Sequence, residues 1–407
     1  MPEPLPLEHV RAWSLGRQGL SGQGFGGTAG CADVVGATAG TGGVYSSAPT
    51  CYLTYAARVP GFRLKDLDRA LFTERSLVRF RCFHEMVYIV PAEDAGWMTA
   101  ATKAATGNTR TLLKMSGQTE RSYEEYASGI EAALTGREPA TVPEIRAALG
   151  GREGEPGNVL SNTVALMCRQ NRLVRASVRG SWTSNSHAYT TWEQWFGTQL
   201  DLPDPAASRV RLARHYLSAL GPASAADLKW WAGWTVAETK AALAGLGDEA
   251  VEVVLTGEGT GDTPAWLLAE HLSEVREAPE PTGVRLLPYW DPYAMGYLRT
   301  ARQRVVDDED RARVYDKSGN GTSILLVRGR AAGVWECDFD KGVLTVHVAP
   351  LRPAAVRGRA KEIEEAAARI ATMLNAEDLV VRPAPPTAPL DEGARNAFMS
   401  PIRLGAA

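Results

Sequence analysis

The sequence is poor in cysteine and histidine, and each scarcity excludes a class of protein. The five cysteines are odd in number, and none forms a Cys-x-x-Cys pair, which argues against a disulfide framework or a zinc site. The six histidines are equally dispersed, and none lies near a second ligand at metal-site spacing. We therefore predict no metal and no cofactor, and reduced thiols in the cytoplasm.

Long apolar runs and an excess of positive charge are also missing. No run approaches the roughly 18 residues that a membrane span requires, and the first residues lack the basic-then-apolar pattern of an export signal. We therefore predict neither membrane insertion nor export. The net charge is −3, so a nucleic-acid binder of this composition must concentrate its positive charge locally.

A pattern of two helices followed by two strands recurs along the chain. Residues 64–71 have helical spacing, and 77–81 and 86–90 are predicted to form a β-hairpin. The same order returns at 141–189, where Thr141 and Glu144 form a capping box, and at 209–268, where Thr235 and Glu238 form another. Helices followed by a two-stranded wing are the winged-helix order.

The remaining sequence favours strands. Residues 284–288, 323–328, 332–338 and 343–348 are predicted as short strands, followed by a helix at 359–374 and a mobile tail beyond Arg382. The predicted fold is α+β, with tandem winged helix-turn-helix domains followed by a small antiparallel β-barrel. The predicted boundaries are 1–98, 99–198 and 199–283 for the winged-helix units, 284–376 for the barrel and its helix, and 377–407 for the tail.

Residues 42–53 hold polar side chains between an apolar turn and an apolar helix. Tyr45, Ser46 and Ser47 are followed by the segment that begins this helix. They are either the lining of a pocket or a satisfied helix cap. The residues alone leave both alternatives open.

Several motifs occur in the order found in a known family. The stretches 53–62 (LTYAARVPGF), 75–79 (RSLVR), 221–233, 286–293 (LLPYWDPY) and 329–335 carry this similarity. On these motifs the chain resembles the AlkZ-type winged-helix DNA glycosylases from about residue 10 to 375. The resemblance implies tandem winged helices, a small β-barrel, and duplex DNA as partner.

Two departures from the family pattern bear on chemistry. Family glycosylases carry Gln-x-Gln or Gln-x-Asp where this chain has Tyr45-Ser46-Ser47, and those polar groups are expected to position water and support the departing base. A hydroxyl offers one donor, whereas a glutamine amide offers two and an acceptor on a longer arm. In the first wing, His84-Glu85 begins a run that replaces the family Arg-Gly-Thr-Leu-His.

Hydrolysis of a glycosidic bond requires a group that activates water. The candidates are Tyr45 and Ser47, with Glu85 at the predicted hairpin tip and Asp291 before Pro292 as further acidic groups. Asp291 is equally explained as a turn or cap residue, and Glu85 as a solvated tip.

Basic and aromatic residues are candidates for a DNA groove. Arg175 and Arg179 occupy alternate strand positions, which predicts a shared face that could follow a phosphate backbone. The alternative is that each arginine only solvates a strand edge. The full set of DNA-binding candidates is Arg58, Arg79, Arg81, His84, Arg175, Arg179, Trp182, His187 and Lys229.

Three functions fit these observations. The first is a monomeric DNA repair glycosylase that removes alkylated purines, including bulky toxin-derived ones in a self-resistance role. The second is a non-catalytic winged-helix DNA binder or regulator, and the third is an enzyme acting on a small molecule in the former groove. We favour the first, and salt-dependent DNA binding would separate the first two from the third.

Overall fold

The computed structural model describes residues 2–21, 31–83, 86–102, 111, 113, 114, 117–150, 158–257, 262–390 and 402–404. The chain forms two compact units. The larger unit comprises Met1–Tyr45, Pro49–Leu67 and Val210–Ala407, and the smaller comprises Ser46–Ala48 and Asp68–Arg209. The predicted α+β class is confirmed. The boundaries predicted from the repeats rest on sequence order rather than compactness and stay a prediction.

Two β-hairpins and the helices beside them build the smaller unit. The hairpin strands are Leu77–Arg81 with Val87–Pro91, and Leu173–Val178 with His187–Thr191. Strands Leu77–Arg81 and Leu173–Val178 lie next to each other, so the two hairpins are neighbours. The helices of this unit are Arg69–Thr73, Ala92–Asp94, Ala95–Ala101, Glu120–Leu134, Val142–Ala148, Val159–Arg169 and Trp192–Phe196.

The second winged-helix segment follows its sequence signals closely. Thr141 and Glu144 form the predicted capping box, with each side chain accepting a hydrogen bond from the other residue's backbone N–H. The helix Glu120–Leu134 was not predicted, although Tyr123, Tyr126 and Ile130 are buried at helical spacing. These side chains form the core of the unit with residues of Val159–Arg169.

The larger unit contains the third winged-helix segment and the C-terminal sheet. Its helices include Leu7–Arg17, Val34–Gly40, Thr50–Arg58, Leu64–Asp68, Pro205–Leu220, Ala225–Ala232, Val236–Gly245, Gly247–Glu249, Ala269–His271, Leu272–Arg276, Pro292–Met295, Arg299–Arg304, Asp308–Asp310, Arg311–Val314, Pro353–Val356 and Ala360–Leu374. The first few residues of Pro205–Leu220 and the last of Leu64–Asp68 belong to the smaller unit.

An N-terminal strand completes the third wing. Ala250–Thr256 pairs with Thr263–Leu268 as predicted, and Glu3–Pro6 adds to Ala250–Thr256 in parallel. Leu5 and Leu7 are buried there against Val253 and Leu255. This strand was not predicted, because its four residues include two prolines, which are rare inside sheets. As an edge strand it tolerates them.

The C-terminal sheet has more strands than expected. The order of five neighbouring strands is Asp378–Pro383, Val343–Pro350, Arg330–Asp340, Ile324–Val327 and Val284–Leu287. A sixth strand, Ile402–Leu404, pairs with Arg330–Asp340. Asp378–Pro383 and Ile402–Leu404 run parallel to their neighbours, so the sheet is mixed rather than purely antiparallel. Among the described residues, no pairing joins the two edge strands. The tail expected to be mobile therefore contributes ordered pairing at 402–404.

In the part of the chain that the structure describes, no helix combines the length and the apolar character needed to cross a bilayer.

Candidate functional site

Tyr45 lies in a cluster of three aromatic rings in the larger unit. Its ring centroid is 4.7 Å from that of Trp290 at an interplanar angle of 36°, and 6.3 Å from that of Tyr289 in an edge-on arrangement. Burial, reinforced by Tyr45 beside it, raises the pKa of Tyr289 to about 12. The cluster therefore presents stacked apolar rings together with neutral phenol hydroxyls.

Trp290 is held in a backbone conformation that large side chains avoid. Its φ is +59°, in the left-handed region where a bulky residue is an outlier. Its indole N–H is buried and has no hydrogen-bond acceptor among the described residues. Strain of this kind and unsatisfied donors concentrate at functional sites.

A buried ion pair fixes the backbone beside this cluster. Both Asp291 oxygens accept hydrogen bonds from Arg58, each at 2.7 Å, and neither side chain is exposed. Arg58 also donates to the Thr54 carbonyl and to Gln18. One Asp291 oxygen caps the helix Pro292–Met295 by accepting from the Tyr293 N–H. The pair thus ties helix Thr50–Arg58 to the turn that carries Trp290.

This geometry corrects two predictions. Arg58 was expected in a DNA groove, but a fully buried guanidinium committed to a carboxylate cannot reach a phosphate. Asp291 was a candidate base, but its oxygens already accept three hydrogen bonds, two of them from a cation. The alternative explanation, a cap residue, is correct for Asp291.

The residues that follow Tyr45 belong to the smaller unit. The Ser46 N–H donates to the Val87 carbonyl at 2.9 Å, and the Ala48 N–H donates to the Asn185 side chain at 3.0 Å. Ser47 is half-buried. The helix Thr50–Arg58 begins after Pro49 with no side-chain cap, so of the two alternatives for this stretch the helix cap is wrong.

The smaller unit gathers four of the predicted DNA-binding residues at its neighbouring hairpins. Arg79 and Arg81 lie on Leu77–Arg81, and Arg175 and His187 lie on the second hairpin. The pKa of His187 is lowered to about 3 by burial and by the positive charges of Arg79 and Arg175, which shows that these groups are close together. We call these four residues the basic cluster.

Two residues of the basic cluster, Arg79 and His187, have buried nitrogens without a hydrogen-bond partner among the described residues. Arg79 is 3% exposed and stacks over Phe72, with its centre 5.6 Å from the ring, and its Nε and one terminal nitrogen have no acceptor among the described residues. His187 Nδ1 also has none. In the described chain, Arg79, Arg175 and His187 have no carboxylate partner.

The other DNA-binding candidates lie outside this cluster. Arg179 follows the strand end, is exposed, and donates to the Pro139 carbonyl. A β-bulge between Arg175 and Ser177 interrupts the strand, so the shared face predicted for Arg175 and Arg179 is wrong, because a bulge shifts the alternation. Trp182 is half-buried, and Lys229 is exposed on helix Ala225–Ala232 of the larger unit. His84 and Glu85 lie outside the described residues.

Three carboxylates approach each other elsewhere in the larger unit. Oxygens of Asp307, Glu309 and Asp310 lie within 4.8 Å of one another. Arginines already neutralise two of them, since Asp307 pairs with Arg330 and Arg352, and Asp310 pairs with Arg313. The arrangement is therefore an ion-pair network.

No pattern in the sequence indicated that Tyr289 and Trp290 would surround Tyr45. The positions are distant in the chain, and the only available signal was the position of Trp290 directly before Asp-Pro, where a tight turn is expected.

Helices followed by hairpins, repeated along the chain and completed by a C-terminal sheet, define a tandem winged-helix protein. The model of the family described as "DNA glycosylase AlkZ-like" matches residues 32–373. The chain belongs to this AlkZ-like family, as its motifs indicated.

Two known proteins show how far the similarity extends. The chain is 28% identical over 184 residues to an interstrand DNA cross-link repair glycosylase of Streptomyces sahachiroi, a match that covers 44% of this chain and 47% of that protein. The match thus spans about half the length of this relative. The solved structure of Streptomyces sahachiroi DNA glycosylase AlkZ superposes with a TM-score of 0.73 at 22% identity, over 93% of this chain and 99% of that one. This likeness confirms the fold.

Proposed function

We propose that the protein is a DNA repair glycosylase that hydrolyses the N-glycosidic bond of alkylated purines in duplex DNA. Family membership supports the reaction class. The observation that carries the proposal at the level of residues is the aromatic cluster, which places a phenol hydroxyl of the divergent motif beside a strained tryptophan. The cytoplasm is the proposed compartment, supported by five buried free cysteines, and the monomer is the proposed state.

The chemical demands of this reaction are modest. Alkylation at N7 makes the purine cationic, so its departure needs little help. The protein must stabilise an oxocarbenium-like sugar and hold a water molecule against an acceptor. Either the Tyr45 or the Ser47 hydroxyl can accept a hydrogen bond from that water. With Asp291 committed to Arg58, these hydroxyls are the proposed positioning groups, and Glu85 stays a further candidate.

Bulky adducts are the proposed substrates because of the neighbouring rings. Stacking of a base on an aromatic side chain contributes about 1–3 kcal/mol. A planar adduct could pack against Tyr45 or Trp290 and accept a hydrogen bond from the free indole N–H. This would compensate for the smaller number of hydrogen-bond donors on a hydroxyl than on a glutamine amide. A role in self-resistance to a toxin would follow from that preference.

The basic cluster is the proposed contact to the DNA backbone. Arg81, Arg175 and His187 are each half-buried, and Arg79 is buried. The guanidiniums of Arg79 and Arg175 have no carboxylate partner among the described residues, and guanidiniums bind phosphate oxygens, often in bidentate fashion. Arg179, Trp182, Lys229 and His84 are proposed as additional contacts.

Release of free base from duplex DNA carrying small or bulky N7-alkylguanine adducts tests the proposal. Tyr45→Phe removes only the hydroxyl and should reduce release about 100-fold, the lower end of the range for a group that acts in general acid–base catalysis. Ser47→Ala should reduce release less. Trp290→Phe, which keeps a ring but removes the N–H, should affect bulky adducts more than small ones.

Tyr123→Phe is the matched control. It deletes a half-buried phenol hydroxyl that bonds Gln170 in the smaller unit, and it should leave release unchanged. Absence of release from every adduct, with DNA still retained on a gel, would replace the proposal with a non-catalytic binder. If the protein neither releases base nor retains DNA, the result would indicate an enzyme acting on a small molecule.

A further inference from the structure

A pocket of about 390 Å³ in the larger unit lies away from the residues discussed above. It is formed by the start of strand Val284–Leu287 and by one face of helix Ala360–Leu374. Arg285 and Arg369 line it together with Thr282, Glu362 and Glu365. A pocket of this volume can hold a phosphate group and an organic substituent.

Both arginines that line the pocket have N–H donors without a partner among the described residues. Arg285 donates to the carbonyls of Val284 and Ser21, both at 2.8 Å, while its buried Nε has no acceptor among the described residues. Arg369 donates from Nε to the Ala56 carbonyl at 2.9 Å. Its two terminal nitrogens have no hydrogen-bond partner in the described part of the chain.

Among the described residues, no carboxylate is paired with either guanidinium, although two carboxylates line the same pocket. Glu362 bonds Arg359 at 2.7 Å, and Glu365 faces Lys361 at 4.0 Å. Burial and the nearby charge of Arg369 lower the pKa of Arg285 to about 10, and burial lowers the pKa of Arg369. A guanidinium that is paired with carboxylates has a raised pKa instead. Arg403 is an example, because hydrogen bonds to Asp338 and Glu336 raise its pKa.

Two partly buried cations close to each other, with no described carboxylate paired to either, are costly unless an anion joins them. We propose that the Arg285–Arg369 pocket binds a phosphate-type oxyanion, with the terminal nitrogens of Arg369 as donors and the adjacent Arg285 guanidinium as a second positive charge. Planar guanidiniums match the oxygens of this class of anion. Glu362 and Glu365 favour a single phosphate group over a polyanion, because each added charge would be repelled by them.

Thermal unfolding of the full chain at constant ionic strength, with sodium phosphate replacing sodium chloride, tests this site. A bound anion raises stability as RT ln(1 + [L]/Kd), so the wild-type Tm should rise and saturate. Phosphate also stabilises proteins nonspecifically, so the readout is the saturable part of the rise in Tm, compared between wild type and variants. Arg369→Gln and Arg285→Gln should lose this saturable rise. Arg214→Gln, at an exposed arginine of the same unit, should keep it.

Arg369→Lys keeps the positive charge but lacks the planar guanidinium, and calorimetry should show about 10-fold weaker binding of phosphate. This variant tests the site even if a glutamine variant fails to fold. A saturable rise that persists in both glutamine variants, or no saturable rise in the wild type, would overturn the proposal. Competition identifies the source of the anion. Displacement of bound phosphate by a short undamaged duplex supports the site as a backbone contact, and displacement by a nucleoside monophosphate but not by duplex supports a free ligand.

Discussion

Arg58 and the basic cluster contrast two fates of the same residue type. Arg58 and the residues of the basic cluster were all predicted to bind DNA. Arg58 and Arg79, one of the arginines of that cluster, are both buried, with exposures of 2% and 3%. Arg58 is bound by both oxygens of Asp291, whereas Arg79 and Arg175 have no carboxylate partner in the described chain. The partner therefore decides whether a buried arginine stabilises the fold or stays available to a ligand.

The physical reason is the cost of removing a charge from water. A buried guanidinium requires a counter-charge, and where the fold supplies it, the pair is structural. Where the fold does not supply it, a phosphate can. The following experiments separate these two cases, beginning with the largest effect.

Breaking the Arg58–Asp291 pair should cost the most. Arg58→Ala or Asp291→Asn leaves one buried group without its partner, and we expect about 3–5 kcal/mol less free energy of unfolding in urea titrations. The double variant Arg58→Met/Asp291→Leu should be less destabilised than either single variant. A loss below about 1 kcal/mol in both single variants would contradict a structural role.

Removing a cation from the basic cluster should change binding more than stability. For Arg175→Gln we expect about 10-fold weaker affinity for duplex DNA, and a salt dependence reduced by about one unit of slope. Fluorescence anisotropy between low and physiological salt measures both quantities. Arg214→Gln, which alters an exposed arginine of the larger unit, should leave affinity and slope unchanged. An unaltered slope for Arg175→Gln would remove this residue from the interface.

His187 should make stability depend on pH. Its pKa is lowered to about 3 in the folded protein, below its ordinary value of about 6.5. Between these values the unfolded chain binds a proton that the folded chain does not, so stability is lost as pH falls from 6.5 toward 3. The slope should be on the order of 1 kcal/mol per pH unit.

The variant His187→Gln should have a shallower decline of stability over the same pH range in urea titrations. His9 contacts the Arg276 carbonyl, and His9→Gln is the control for removing a histidine outside the basic cluster. Equal slopes for the wild type and His187→Gln would show that the imidazole is protonated at its ordinary pKa.

The exposed pair Arg214–Glu249 should give the smallest effect. Its side chains are 40% and 53% exposed, so solvent screens the attraction, and Arg214→Gln should cost less than about 1 kcal/mol in urea unfolding. A cost comparable to that of Arg58→Ala would show that pairing alone, independent of burial, sets the stability.

The sequence determined the local elements of this protein. The capping boxes at Thr141 and Thr235 and the helix Val159–Arg169 lie where they were predicted. These features depend on residues three or four positions apart, whose interactions the sequence displays directly. The motifs also identified the family, because a family can be recognised from the order of motifs along the chain without knowledge of the contacts that they make.

The tertiary structure alone decided the composition of the candidate site. Trp290 next to Tyr45, Asp291 bound to Arg58, and His187 beside Arg79 are contacts between distant parts of the chain. No local pattern specifies which arginine receives a carboxylate, or which strand carries a bulge. Burial and counter-charge arise only when distant elements pack, and they determine which polar side chains remain available for chemistry.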